Sequence, residues 1–215
     1  MSARARTISL IPVAAAMVLL AGCAAAGEPH PSPTRTTAAE TSASPPPSPS
    51  EAAEIDPDDP GTWVITDAGV GPIELGGDLA ATLAELPDTW RSDEACSWTA
   101  WWEGEETGTG LFFLRGTESD TAPISEISVY TAATGSTADG LPRTADGLGI
   151  GATSEELFAA YPDAEQVTAE IGSSTWIRLP GDADGRVFFE FREGETTASS
   201  VVVTTHEQPS YEVCG

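Results

Sequence analysis

Hydrophobicity falls into three blocks along the chain. An unbroken apolar run, "TISLIPVAAAMVLLA", follows Arg4 and Arg6. Residues 24–60 then carry almost no large apolar side chain. From residue 61 onward apolar positions return with a period. Leu79, Leu83 and Leu86 recur at helical spacing, Asp78 stands where an N-cap belongs, and Pro87 stops the helix. A second helix is announced by Thr153 and Glu156, the two ends of a capping box, and is stopped by Pro162. Short alternating or β-branched runs follow each helix. They are 97–103, "GLFFL" (110–114) and "EISVYT" (126–131) after the first, and 174–179, "VFFEF" (187–191) and "SVVVTT" (200–205) after the second.

An offset of 75 positions lays "IELGGDLAATLAELPD" over "LGIGATSEELFAAYPD". Both end in Pro-Asp, and the same offset sets Trp101 on Trp176 and Phe113 on Phe188. With one residue of adjustment, Ile127 and Val129 meet Val201 and Val203. The fold predicted from this is α+β: two tandem repeats, about 61–135 and 136–215, each a helix followed by antiparallel strands. Together they form one sheet with helices on one face.

The first block has the layout of a secretory signal, with a positive start and an apolar stretch too short for a comfortable span. Its ending, Leu20-Ala21-Gly22-Cys23, resembles the cleavage box of bacterial lipoproteins. That resemblance implies a signal peptide over 1–22 and a Cys23 that carries lipid, anchoring the protein to the outer side of the cell membrane. Residues 23–60, rich in Pro, Ser, Thr and acids, cannot bury enough surface to fold and read as a tether. The globular part is 61–215.

Charge and cysteines narrow the chemistry. The chain has a formal net charge of -25. The cations of the globular part are Arg91, Arg115, Arg143, Arg178, Arg186 and Arg192, and lysine is absent. Nucleic acid is therefore excluded as a partner, and so is adhesion to an anionic lipid surface by charge alone. With Cys23 lipidated, Cys96 and Cys214 remain, and an exported domain with two thiols forms one disulfide. Metal binding competes poorly, since His206 is the domain's only imidazole and no CxxC spacing exists. "GDADG" (181–185) fails the EF-hand pattern, and "GLGIG" (147–151) lacks the context of a nucleotide loop. No GxSxG elbow occurs. Neither a catalytic residue nor a cofactor is assigned.

The densest aromatic stretch is "CSWTAWWEG" (96–104). Because Trp101 and Trp176 share a slot, both are assigned to the layer beneath the helices. Strand alternation then turns Trp98 and Trp102 to the other face. Tyr130 joins them if Ile127 and Val129 point inward. Trp98, Trp102 and Tyr130 are thus candidates for a partner-binding surface. The competing reading is a heavily packed strand, which a β-bulge or a covering "TWVIT" strand would produce.

The twice-given pattern of Ile73-Glu74-Leu75-Gly76 and Leu148-Gly149-Ile150-Gly151, helix, then strands, resembles tandem-repeat α/β proteins of the β-lactamase-inhibitor-protein and BamE-like type. The resemblance implies one long sheet whose open face grips a partner. The sequence departs from the inhibitors in holding one helix per unit and in a disulfide that joins the two units, so inhibition of a β-lactamase is not carried over. The expected role is a membrane-anchored, extracytoplasmic, non-catalytic binding module for a protein or cell-wall component. Inhibition of a secreted enzyme is the alternative, and an envelope hydrolase stands third.

Overall fold

The computed structural model describes residues 55–104, 108–132, 139–181 and 184–214. A short 3-10 turn, Pro60–Thr62, leads into β1 (Val64–Thr66), β2 (Gly69–Val70) and β3 (Ile73–Glu74). Helix α1 (Leu79–Glu85) precedes a meander of β4 (Arg91–Asp93), β5 (Cys96–Glu103), β6 (Thr109–Arg115) and β7 (Ile124–Thr131). The chain then passes through β8 (Arg143–Thr144) and α2 (Ser154–Ala160). A second meander follows: β9 (Glu165–Thr168), β10 (Thr175–Arg178), β11 (Arg186–Phe191) and β12 (Ser200–Thr204).

The predicted α+β fold of two helix-plus-strand repeats is not what forms. The described chain is mostly β, in an eight-stranded antiparallel sheet ordered β4-β5-β6-β7-β12-β11-β10-β9 and a four-stranded sheet ordered β3-β2-β1-β8. Each of the two helices has only 7 residues. The caps are where the sequence places them: the Asp78 carboxylate accepts from the Ala81 N–H at 2.8 Å, and Thr153 and Glu156 close a capping box. A cap sets where a helix starts, not how long it runs. Two turns fall well short of independent stability, so these helices persist by docking Leu79 and Leu157 into the core. Residues 63–74 hold β-formers and glycine turns, and they pair into the small sheet instead. β1 runs parallel to β8, its Val64 paired with Arg143 far along the chain. The 75-residue offset also fails in the strands, because Phe113 and Phe188 lie on opposite faces of the large sheet.

Register explains the faces. Ala100, Phe113, Ile127, Val203 and Val187 are successive cross-strand partners, and so are Trp102, Leu111, Val129, Val201, Phe189 and Ile177. These two rows form the inner face. They pack against Trp63, which precedes β1, against Ile65, Val70 and Ile73 of the small sheet and against the two helices, giving one core cluster. Trp90 joins it, stacked on Trp63 with ring centroids 6.2 Å apart and tilted against Phe113 at 5.5 Å. Burying side chains of this size stabilises the fold by about 1.5–3 kcal/mol each. Gly71 makes the β2–β3 turn with φ of 55°, and a Cβ there would run into the Trp63 ring. The sheet's two edge strands carry cross-strand ion pairs, Arg91–Glu103 at 2.6 Å and Arg178–Glu165. Charges of this kind discourage edge-to-edge pairing, though exposed pairs add little stability. Among the described residues, no helix is long and apolar enough to cross a membrane.

Phe112 and Phe113 are adjacent but face opposite ways, which makes a direct test of this register. Phe113→Ala should destabilise by about 3–5 kcal/mol. Phe112→Ala, on the half-buried outer side, should lose clearly less. Equal shifts in the urea midpoint for the two variants would contradict the assignment of faces.

Candidate functional site

The outer face of the large sheet is where the chemistry gathers. One row across four strands reads Tyr130 (β7), Ser200 (β12), Glu190 (β11) and Trp176 (β10), each the cross-strand partner of the next. The neighbouring row reads Phe112, Ser128, Val202 and Phe188. In both rows aromatic rings stand at the flanks, with Ser200 and Glu190 between them in the first and Ser128 and Val202 in the second. Strands lie about 4.8 Å apart, so Tyr130 and Trp176 stand roughly 14 Å from each other, with a low floor between them. That floor is laid by Ser128 and Ser200, whose hydroxyls meet at 3.4 Å. The Phe112 and Tyr130 rings tilt together at 6.0 Å on one side, and Trp176 meets Phe188 edge-on at 6.1 Å on the other. Gly110, opposite Tyr130, leaves room for that ring, since a Cβ there would come within 2.8 Å of the phenol oxygen.

A strap formed by the C-terminal segment crosses part of this face. Residues 206–214 have no regular structure, yet they are anchored at short intervals. Arg186 holds Glu207 at 2.8 Å, and the Gln208 side-chain oxygen accepts from the Glu170 N–H at 3.1 Å. The Ser210 N–H and hydroxyl both donate to Glu126 Oε2, at 3.0 and 3.2 Å. Trp98 Nε1 donates to the Val213 carbonyl at 2.8 Å, and Cys214 is bonded to Cys96 with a Cα–Cα distance of 5.6 Å. The bridge spans 118 residues, a loop for which the chain-entropy account gives about 4–5 kcal/mol. Together the strap, the 169–174 loop and the sheet enclose a cleft of about 600 Å³. That volume falls inside the range of about 300–1,000 Å³ typical of small-molecule sites.

Polar groups converge on the cleft. Glu190 accepts from the Ser174 hydroxyl at 2.7 Å and has no cation partner among the described residues. Arg192, two residues on, donates to the Thr131 carbonyl at 2.8 Å and likewise has no carboxylate within ion-pairing distance among the described residues. Burial, with Glu103 nearby, raises the Tyr130 phenol pKa, so this group stays a neutral hydroxyl donor. Glu126 is almost wholly buried, and burial raises its pKa against the opposing pull of Ser210, Thr204 and His206. No group of three or more His, Cys, Asp or Glu among the described residues is placed to hold a metal ion.

The residues singled out in the sequence are not brought to one surface. Tyr130 is on the outer face and lines the cleft. Trp102 is on the inner face, half-buried against the core. Trp98 reaches the strap, beyond a register shift at Ser92/Asp93 that breaks the simple alternation of β5. Trp101 and Trp176 do share a face, but it is the outer one; Ala100 and Ile177 take the inner positions. Ser128, Ser200, Glu190 and Arg192 were missed. Alternation within "EISVYT" and "VFFEF" marks some of them as turned away from the core. That the face is roofed by the last residues of the chain has no local signal beyond the second cysteine. Cys23 lies outside the described residues.

Glu126 generates a pH prediction. Its raised folded-state pKa means the fold binds this proton more tightly than the unfolded chain does. Its contribution to stability is therefore complete below its ordinary value of 4.5 and declines as pH rises through the folded-state value. Glu126→Gln keeps an acceptor for Ser210 and removes the charge. The melting temperature of the variant minus that of wild type should rise between about pH 4 and about pH 7. A difference that stays flat or falls would contradict the burial argument.

No protein-family model and no curated protein matches the sequence. Two solved structures are similar over part of the chain. One is a DUF4309 family protein (YjgB) from Bacillus subtilis, 19% identical, with a TM-score of 0.37 over 61% of this chain and 78% of that one. The other is an extracellular protein containing a SCP domain from Bacillus anthracis, 13% identical, with a TM-score of 0.33 over 60% of this chain and 43% of that one.

Proposed function

We propose that the protein is a lipid-anchored binding module on the outer side of the cell membrane, and that it holds its ligand in the cleft between the large sheet and the C-terminal strap. The observation that supports binding is the cleft itself: aromatic walls, a floor of hydroxyls, and two opposite charges, Glu190 and Arg192, that have no ion-pair partner among the described residues. A face evolved only for packing would fill these positions with apolar side chains, because polar groups cost free energy when buried without partners. The anchor is supported by Arg4, Arg6, the apolar run and Leu20-Ala21-Gly22-Cys23. A lipid-modified Cys23 would leave the acidic domain on its tether, facing the wall and its surroundings.

Ser200→Trp sets a large side chain on the cleft floor. In a thermal-shift screen against soluble envelope fragments and small polar metabolites, ligands that raise the melting temperature of wild type should lose that effect in this variant. Undiminished shifts in a folded Ser200→Trp, or none with wild type, would remove the cleft as a binding site.

The anchor has its own test. An alkyne fatty acid fed to cells should label the full-length chain and leave Cys23→Ser unlabelled. Equal labelling of the two would refute it.

A further inference from the structure

We infer that the ligand class of this cleft is a neutral saccharide; the assignment rests on the binding reading above and narrows it. Three kinds of ligand are disfavoured by what lines the space. A simple anion would meet Glu190 together with Glu170 and Glu207. A simple cation would meet the guanidinium of Arg192, which lines the same space and has no carboxylate within ion-pairing distance among the described residues. A purely apolar ligand would cut Glu190 and Arg192 off from water without giving them partners, which is costly.

A neutral ring bearing many hydroxyls meets all these demands. Its C–H faces match the flat aromatic surfaces of Tyr130 and Trp176, on either side of the low serine floor. Its hydroxyls are donors and acceptors at once, so a vicinal pair can donate to both oxygens of Glu190 or accept from two N–H groups of Arg192. The Tyr130 phenol, held neutral by burial, adds a donor that works in the same way. The open space of about 600 Å³ has room for more than one sugar ring. Mixed charge with aromatic walls is therefore selective for a ligand that is polar everywhere and charged nowhere.

The test is a titration of the refolded or exported domain, disulfide intact, followed by calorimetry. The probes are chitotriose and maltotriose as neutral sugars, trigalacturonate as an anionic one, a de-acetylated chitosan trimer as a cationic one, and alanyl-alanine as a zwitterion. At least one neutral trisaccharide should bind saturably, and the charged trimers should bind more weakly. Trp176→Ala should weaken that binding by about tenfold or more, and Trp176→Phe should restore part of it. Glu190→Gln should weaken it as well while the melting temperature of the free protein stays close to wild type, which separates a lost contact from a lost fold. If neither neutral sugar binds, or if Trp176→Ala binds as well as wild type, the saccharide assignment is overturned. Binding of the zwitterion or the cationic trimer in place of the sugars, abolished by Ser200→Trp, overturns the assignment and leaves the cleft's binding role standing. Loss of every ligand effect in both this titration and the thermal-shift screen removes both.

Discussion

The antiparallel pairing of β7 with β12 is the constraint on which the rest of the molecule depends. Val129 sits opposite Val201 and Ile127 opposite Val203, so four β-branched side chains enter the core from the middle of the sheet. The pleat then leaves no choice for the residues between them. Glu126, Ser128 and Tyr130 on one strand, and Ser200, Val202 and Thr204 on the other, must face away. A slip of one residue would drive a carboxylate and several hydroxyls into the core and expose the valines. Because one face is so strongly apolar, the register of the whole central sheet is held, and with it the row of chemistry on the opposite side.

That opposite side could not be left as it is. It carries Phe188, Leu114 and Val202, all buried although none belongs to the core cluster, together with a carboxyl at Glu126 that is nearly inaccessible to water. The C-terminal strap answers the second of these needs by bringing Ser210 to the Glu126 carboxylate. Loop-like segments of this kind are costly to order and are usually mobile unless tied down. Here the disulfide to Cys96 and the Trp98 bond to Val213 fasten the far end. The strap covers only part of the sheet, and the uncovered remainder, between it and the 169–174 loop, is the cleft.

Several local features are plain in the chain itself: both helix caps, both proline stops, six of the strands, and the pairing of Cys96 with Cys214. Each depends on neighbours within a few residues, or, for the cysteines, on residues 61–215 holding just two of them. The extent of the helices was not legible in the same way. Leucine spacing over two turns fits a helix of any length, and the competing demand of the β1–β3 segment for a partner lies far away at β8. The cleft was legible only in part. Tyr130 follows from alternation, whereas Trp102 does not, because alternation says which residues share a face but not which face the core will choose.

By itself, the sequence determined the alternation of apolar and polar positions, the caps, the oxidised cysteine pair and a strongly acidic composition. These follow from short-range stereochemistry, composition and charge. Only the tertiary structure decided that the chain closes into an eight-stranded sheet backed by a small one, and that Trp101 and Trp176 look outward. It also decided that Glu190 and Arg192 share a cleft with Tyr130 under the last residues of the chain. Those outcomes depend on which strands meet across long separations, and pairing of that kind is fixed by the packing of the whole core rather than by any stretch of residues alone.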